Sequence, residues 1–200
     1  MDERHTYWVN NKPEFGTHGL VSEIDLMLTS IPEAVNWFRK EGVPSYFFPE
    51  ASDSKFFFPI KCVKQYDVGL VGENYGMRAT IVKELVRKGI NVKVYGNGWP
   101  NGRISPEEIN RFYNECKIVL GVGTIGYCKT FCSLKLRDFD VPMSGAFYLT
   151  SYCDDLLTLY LDGEEIVLYH SIKDFIDKCC LLYTSPSPRD RTRSRMPSSA

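Results

Sequence analysis

The sequence predicts an α/β fold, a doubly wound parallel sheet of the Rossmann-like type. Short apolar runs, several of them rich in β-branched residues, alternate with segments of helical spacing from residue 24 to residue 182. A turn with two glycines joins one such run to the helical segment after it. The hydrophobic content of 44% in 200 residues is enough to bury a core, and the length suits one domain or one domain with a fragment of another.

Residues 67–99 form the unit on which this prediction rests. The strand at 68–71 ends in the glycine turn 72–76, helical spacing follows at 81–86, and a second β-branched run at 90–95 ends at another glycine turn. This order is typical of a right-handed βαβ unit with parallel strands. Ligands of open parallel sheets bind outside the carboxyl ends of the strands. Because the turn has small residues and precedes a helix start, we expect it to bind an anion, most often phosphate.

The segment before this unit predicts one further strand–helix–strand unit. A strand is expected at 24–29, a helix begins at the capping-box sequence Ser30–Glu33, and a second strand follows at 43–48. Residues 49–66 contain two prolines and are expected to cross between two domains. Their three phenylalanines, Phe56–Phe58, are expected to pack this crossing against the domain behind it, with an exposed partner patch as the alternative.

The segment after residue 99 continues the same alternation. A second capping box, Ser105–Glu108, has Pro106 at the first helical position and begins a helix that extends to Cys116. Another helix begins near Leu134, and Pro142 is expected to end or bend it. The other predicted elements are strands at 118–122, 146–150 and 165–169, a short helix at 154–160 and a closing helix at 171–182.

The carboxy-terminal tail differs from the rest in composition. Residues 183–200 contain four arginines, one aspartate and few apolar residues, so they are predicted to be disordered. The stretch also resembles translated vector or adapter sequence, and it is excluded from the fold prediction for that reason. Since the net charge of the whole chain is −1, the remainder is acidic, which argues against nucleic acid as a partner.

Residue usage disfavours a membrane-spanning protein and a zinc-binding protein. No apolar run is long enough to span a membrane and no leader opens the chain, so we expect a soluble, cytoplasmic protein without a transmembrane segment. The seven cysteines form no CxxC pair and the chain has three histidines, so free thiols are expected rather than a zinc site. The sequence Asp138-Phe139-Asp140 leaves one metal hypothesis open, a DxD site that holds Mn²⁺ through oxygen ligands.

Three stretches carry a family resemblance: VGLVGENYGMRATIVKELVRKGINVKVYGNGWPNGRIS, LKLRDFDVPMSGAFYLTSY and DGEEIVLYHSIKDFIDK. In this order they resemble the carboxy-terminal half of glycosyltransferases of the GT-B fold, in the group 1 lineage that includes the CgeB-like spore-maturation proteins. The resemblance implies three parts. Residues 1–66 are a remnant of the amino-terminal domain with the interdomain crossing, residues 67–182 are the nucleotide-sugar-binding domain, and residues 183–200 are the tail.

The resemblance implies transfer of a sugar from a nucleotide-activated donor to an unknown acceptor, without a tightly bound metal or cofactor. The donor diphosphate is expected at the turn between Gly72 and Gly76, which includes Asn74. Arg78 opposes its negative charge, and Gly98, in the next glycine turn, is expected to line the nucleotide base.

The later helix is implied to complete the donor site. Lys135 or Arg137 matches the basic residue that contacts the diphosphate, and an arginine is suited to it because its fork can bind two phosphate oxygens. Asp140 matches the acid that accepts from the ribose hydroxyls. Related retaining enzymes often carry two glutamates eight positions apart here, whereas this chain has Cys132 and Asp140. No catalytic residue is assigned.

Four alternatives remain open. Because most of the amino-terminal domain is missing, the chain is expected to bind donor without necessarily transferring it, and a noncatalytic nucleotide-binding or partner-binding remnant is the main alternative. A dinucleotide-binding oxidoreductase is less favoured, since the spacing is GxxGxxxG and no acid ends the second strand. Gly72 and Gly76 could also be only a tight strand–helix turn, and Arg137 with Asp138 only a surface ion pair.

Overall fold

The computed structural model describes residues 23–123 and 132–183. Most of the predicted tail lies outside the described residues, so its disorder stays a prediction. No helix in the described part of the chain is long and apolar enough to cross a membrane.

The chain divides into two compact units. Among the described residues, the smaller unit contains 23–50 and 132–134, and the larger unit contains 51–123 and 135–183. The division after Glu50 falls inside the segment predicted to cross between domains.

The smaller unit is a two-stranded parallel sheet covered by one helix. Strand β1 (Met27–Thr29) pairs with β2 (Ser45–Phe47), and α1 (Pro32–Lys40) connects them. Ala34, Phe38 and Val43 form its buried core. The strand–helix–strand prediction is therefore confirmed.

The predicted cap of α1 is wrong. The N-cap is Ile31 rather than Ser30, and no side chain caps the helix. The Ile31 N–H donates instead to the Thr29 hydroxyl over 3.1 Å.

The larger unit contains a five-stranded, entirely parallel sheet, which confirms the predicted fold class. The strand order is β4-β3-β5-β6-β7. The strands are β3 (Tyr66–Val71), β4 (Val92–Tyr95), β5 (Cys116–Leu120), β6 (Tyr148–Ser151) and β7 (Val167–Tyr169).

Four helices and a short 3₁₀ helix connect and flank this sheet. They are α2 (Arg78–Arg87), α3 (Pro106–Glu115), α4 (Arg137–Met143), the 3₁₀ helix Asp154–Thr158 and α5 (Ile172–Tyr183). Alternate residues of β3 show that helices cover both faces. Val68 and Leu70 lie in one core cluster with residues of α2 and α5, whereas Gly69 faces Phe112 of α3. A Cβ at Gly69 would lie 2.9 Å from the Phe112 ring, so α3 packs directly on the backbone of β3.

The crossing segment is fixed to α3 by two buried asparagines. The Phe58 N–H donates to Asn110 Oδ1 over 3.3 Å, and the Ile60 N–H donates to Asn114 Oδ1 over 2.9 Å. Phe57 stacks on Tyr113 with ring centroids 6.2 Å apart. Packing of the three phenylalanines is confirmed for Phe57 alone, because Phe56 and Phe58 are 66% and 46% exposed.

Helix α4 contains Pro142 in its last turn. Proline has no N–H, so the carbonyl four residues earlier, that of Asp138, loses its helical donor. The Tyr160 hydroxyl donates to this carbonyl over 2.8 Å and replaces the missing bond. The helix therefore continues to Met143, and it begins at Arg137 rather than near Leu134.

Candidate functional site

The centre of the larger unit has the geometry of a ligand site in a parallel sheet. Strands β3 and β5 are neighbours, with β4 on one side and β6 on the other. The chain leaves β3 across α2 toward β4 and returns across α3, on the opposite face, to β5. The connections thus diverge at the carboxyl ends of β3 and β5, which is where open α/β sheets bind their ligands.

Two glycine turns, residues 72–76 and 96–99, are joined at this edge, and we call them the paired turns. The Gly72 N–H donates to the Tyr95 carbonyl, and the Asn74 N–H donates to the Asn97 carbonyl, both over 2.8 Å. Asn74 Nδ2 also donates to the Gly98 carbonyl over 3.0 Å, and Trp99 Nε1 donates to the Gly72 carbonyl over 2.8 Å. The turn predicted to bind phosphate is therefore held by the turn after β4.

Close approach of the two backbones requires glycine at position 96. A Cβ built there would overlap the carbonyl group of Gly72, and its φ of 137° is unfavourable for other residues. Gly98, with a φ of 79°, also has Asn74 against it. The glycines of the second turn thus position the first.

Two arginine side chains converge on the first turn. Arg137 extends from the start of α4 and donates from Nη1 to the Val71 carbonyl over 2.6 Å and from Nη2 to the Val122 carbonyl over 3.3 Å. Arg78, at the start of α2, donates from Nη1 to the Glu73 carbonyl over 2.9 Å. Both guanidinium groups therefore lie across the ends of β3 and β5.

Gly72 has no side chain, and the two arginines meet in the space that a side chain there would occupy. A Cβ added at this glycine would lie 2.8 Å from Arg137 Nη1 and 3.1 Å from Arg78 Nη1. The two cationic nitrogens are thus no more than about 6 Å apart, a distance at which like charges repel. Within the described residues, neither guanidinium forms an ion pair with a carboxylate.

The electrostatics of Arg78 reflect this arrangement. The residue is only 4% exposed, and burial lowers the pKa of its guanidinium, with the charge of Arg137 as the second cause. Tyr75 acts in the opposite direction, since its ring lies 4.2 Å from the guanidinium carbon and its hydroxyl accepts from Nη2 over 3.3 Å. An additional negative charge at this place would stabilise both cations.

The carboxylate of Glu73 is engaged away from the arginines. Its Oε1 accepts from Asn97 Nδ2 over 2.7 Å, while its main-chain carbonyl accepts from Arg78. The acid in this turn therefore serves to join the paired turns.

A family model described as glycosyl transferase-like matches residues 78–196. The chain belongs to this glycosyl transferase-like family. The match begins at Arg78, and it includes α2, α3, α4 and α5 with the strands between them. No curated protein matches the chain.

Solved structures similar to the glycosyl transferase-like chain support the fold. Sucrose-phosphate synthase from Thermosynechococcus elongatus is similar with a TM-score of 0.62 and 11% identity over 96% of this chain and 61% of that one. A variant of TarM from S. aureus, crystallised with fondaparinux, α-GlcNAc-glycerol and UDP, has a TM-score of 0.60 and 11% identity over 88% of this chain and 41% of that one. The chain thus spans less than two thirds of the length of either protein.

The two candidates for the later basic residue differ in placement. The Arg137 side chain reaches the strand ends, whereas the main-chain N–H of Lys135 donates to Asp138 Oδ2 over 2.6 Å. Which of the two residues contacts a ligand of the glycosyl transferase-like domain stays a prediction.

Asp138 holds the start of α4 through both of its carboxylate oxygens. Its Oδ1 accepts from the Tyr148 hydroxyl over 2.6 Å, and its Oδ2 accepts from the Lys135 N–H. The residue is 2% exposed, and burial raises the pKa of its carboxyl group. Because Asp138 is buried, its pairing with Arg137 at the surface is excluded. The metal site at Asp138-Phe139-Asp140 stays a hypothesis.

Asp140 lies on the inner side of α4. It is 5% exposed. The pKa of the Tyr113 hydroxyl on α3 is raised mainly by the burial of Tyr113; the charge of Arg137 lowers this pKa, and the charge of Asp140 raises it. Its assignment to the donor ribose stays a prediction, and the contact would need an oxygen of Asp140 to become accessible.

Sequence reasoning did not find two residues of this region. Tyr75 lies against Arg78, and Tyr148 holds Asp138. A signal was present for Tyr75, which is an aromatic residue three positions before an arginine at a helix start. Tyr148 gave none, because its partner lies ten positions away and on another element.

Proposed function

We propose that this glycosyl transferase-like domain binds the diphosphate of a nucleotide-activated sugar at the paired turns, as the donor-binding half of a sugar transferase. One observation carries the proposal. The guanidinium groups of Arg78 and Arg137 converge on the space left by Gly72, and neither has a carboxylate partner among the described residues. A diphosphate supplies the negative charge that this space lacks.

Both arginines retain hydrogen-bond donors for such a ligand. Each Nη atom carries two N–H groups, and the carbonyls of Val71 and Val122 use one on each Nη of Arg137. The buried Nε atoms of Arg78 and Arg137 have no hydrogen-bond partner in the described part of the chain. Phosphate oxygens accept several such bonds at once, and an arginine fork matches their geometry.

The surrounding backbone favours the same ligand. The paired turns lie at the topological switch point of the sheet, and α2 begins directly after them with no side-chain cap. Its positive dipole end and first N–H groups attract anions. We assign the approach of the diphosphate to Gly72, Asn74 and Gly76.

The other donor contacts belong to the same proposal. We assign Lys135 to the outer side of the diphosphate, Asp140 to the ribose and Gly98 to the nucleotide base. The finer lineage, CgeB-like enzymes of group 1, is also proposed, as are a cytoplasmic location and a donor bound without a tightly held metal or cofactor.

Transfer itself is a property of a longer chain in this proposal. The similar enzymes are longer, since this chain spans 61% of one and 41% of another. We therefore expect donor binding with little hydrolysis or transfer. A noncatalytic nucleotide-binding remnant is the second candidate, and turnover by a longer chain that includes the same site would separate the two.

Calorimetry tests the donor site. The chain is titrated with UDP, GDP and ADP in the presence of EDTA, and the nucleotide that binds is compared with its nucleoside. We expect Arg137→Ala to weaken binding of the diphosphate by roughly 1.5–3 kcal/mol, because a charge-assisted contact is lost. Nucleoside binding should change little. Asp140→Asn should weaken nucleoside and nucleotide alike.

The matched control is Arg87→Ala, which removes an exposed arginine of α2 that pairs with Glu84. It should leave binding unchanged. The proposal is wrong if none of the three nucleotides binds, or if Arg137→Ala and Arg87→Ala behave alike. Binding that EDTA abolishes would instead show that a metal is required.

A further inference from the structure

A groove lies along the free side of α3, away from the paired arginines. Among the described strands the sheet ends at β4, and α3 packs mainly against β3 and β5. The cavity formed there has a volume of about 400 Å³, within the range of small-molecule sites in proteins. We call it the α3 groove, and its aromatic lining is Tyr66, Tyr95 and Phe112.

The floor of the α3 groove is aromatic. Phe112 is 4% exposed and lies between the other two rings. Its centroid is 5.0 Å from that of Tyr95, edge to face, and 5.9 Å from that of Tyr66. These contacts fix the orientation of two half-buried tyrosine rings, which are apolar on their faces and polar at their hydroxyls.

The walls of the groove are charged but neutral in sum. Two arginines, Arg103 and Arg111, alternate with two glutamates, Glu108 and Glu115. Arg111 Nε pairs with Glu115 over 2.9 Å, and Glu108 accepts from the Ser105 hydroxyl over 2.7 Å. Hydrogen-bond donors and acceptors are therefore both available around an apolar floor.

We propose that the α3 groove is a binding site for a neutral saccharide. A pyranose ring has C–H groups on its faces, which pack on aromatic rings, and hydroxyl groups around its edge, which both donate and accept hydrogen bonds. Because the walls carry no net charge, they favour neither an anionic nor a cationic ligand, and four charged groups disfavour an aliphatic one. A neutral ring with polar edges matches both the floor and the walls.

Pairing of a second copy with the edge of β4 is less compatible with the structure. The Val94 carbonyl accepts from Asn101 Nδ2 over 2.9 Å, and the Gly96 N–H donates to the Gly102 carbonyl over 2.7 Å. The segment after β4 thus occupies part of the edge that another strand would need.

Nuclear magnetic resonance tests the assignment with defined probes, the methyl glycosides of glucose, galactose, mannose and N-acetylglucosamine. We expect at least one to bind with a Kd in the millimolar range, of about 1–20 mM, and to shift backbone signals of residues 95 and 103–115. Tyr95→Leu keeps apolar volume but removes the flat ring, and it should weaken this binding at least about tenfold. Arg111→Gln, on an exposed side chain, should weaken it several-fold without unfolding the protein.

Two matched controls locate the site. Tyr46→Leu replaces an exposed tyrosine of the smaller unit and should leave glycoside binding unchanged. A saturating nucleoside diphosphate should not displace the glycoside, because the α3 groove is distinct from the paired turns. If the nucleoside diphosphate displaces the glycoside, the glycoside binds at the donor site and the groove assignment is wrong. Absence of binding by all four glycosides overturns it as well, and so does binding by Tyr95→Leu and Arg111→Gln that is as tight as that of wild type.

Discussion

Replacing Gly72 by alanine tests the arrangement of the arginines without removing either of them. The new Cβ would lie 2.8 Å from Arg137 Nη1, whereas nonbonded atoms of this kind are best separated by about 3.5 Å. The atom that must move is the end of a flexible side chain, so the protein can fold if Arg137 turns away. The 2.6 Å bond from Arg137 to the Val71 carbonyl is then lost.

The expected magnitude has two parts. Gly72 has a φ of 152°, a conformation that alanine rarely adopts, so stability should fall by about 1–3 kcal/mol. If the diphosphate depends on Arg137, its binding should weaken by roughly 1.5–3 kcal/mol, which is about 10- to 150-fold. Urea unfolding measures the first effect and calorimetry with the nucleoside diphosphate measures the second.

A glycine in open space provides the matched control. Gly163 has a φ of 81°, and nothing lies within 4 Å of the Cβ that alanine would add. Gly163→Ala should therefore cost stability through the backbone alone and leave binding unchanged. A folded Gly72→Ala that binds as tightly as wild type would refute the reasoning.

Two further predictions concern stability. Asn114→Ala should destabilise the larger unit by about 1–3 kcal/mol, because the Ile60 N–H loses its acceptor. Urea unfolding measures this loss, with Glu107→Ala as the control at an exposed site. Equal stabilities of the two variants would contradict the prediction. Asp138 has a carboxyl pKa raised above 3.8 by burial, so the folded state holds its proton to a higher pH than the unfolded state does. The free energy of unfolding of wild type, measured relative to that of Asp138→Asn, should therefore fall as pH rises above 3.8 through the raised pKa. If this difference in free energy grows over the same pH range, the burial of the acid is contradicted.

The periodic pattern of the sequence was sufficient for the fold because each strand and helix is specified locally. Alternation of β-branched runs with helical spacing predicted the seven strands of the described residues within a few residues, and the helical crossovers between successive strands then required parallel pairing. Helix limits were less accurate. Pro142 predicted an early end of α4. The helix can include Pro142 because the hydroxyl of Tyr160, eighteen positions later, donates to the carbonyl that proline leaves without a donor.

The candidate site was predictable to the extent that it depends on one turn. Glycines after a strand and before a helix indicated the paired turns, and the resemblance indicated Arg137. The joining of the two turns was not predictable, because it depends on side chains such as Trp99 whose partner lies 27 positions away. The same holds for Asn110 and Asn114, since their partners in the crossing segment lie more than 50 positions earlier.

The position of Asn97 would allow the two proposed ligand sites to influence each other. Its Oδ1 accepts from Arg103 Nε at the α3 groove over 2.8 Å, and its Nδ2 donates to the Glu73 carboxylate in the first turn. A saccharide that draws Arg103 away would free one side of this amide and alter the turn whose main-chain carbonyl holds Arg78. By thermodynamic reciprocity, a nucleotide that reorders the turn would change the affinity of the groove by the same factor. Through this one asparagine, the binding of either ligand would change the affinity of the domain for the other.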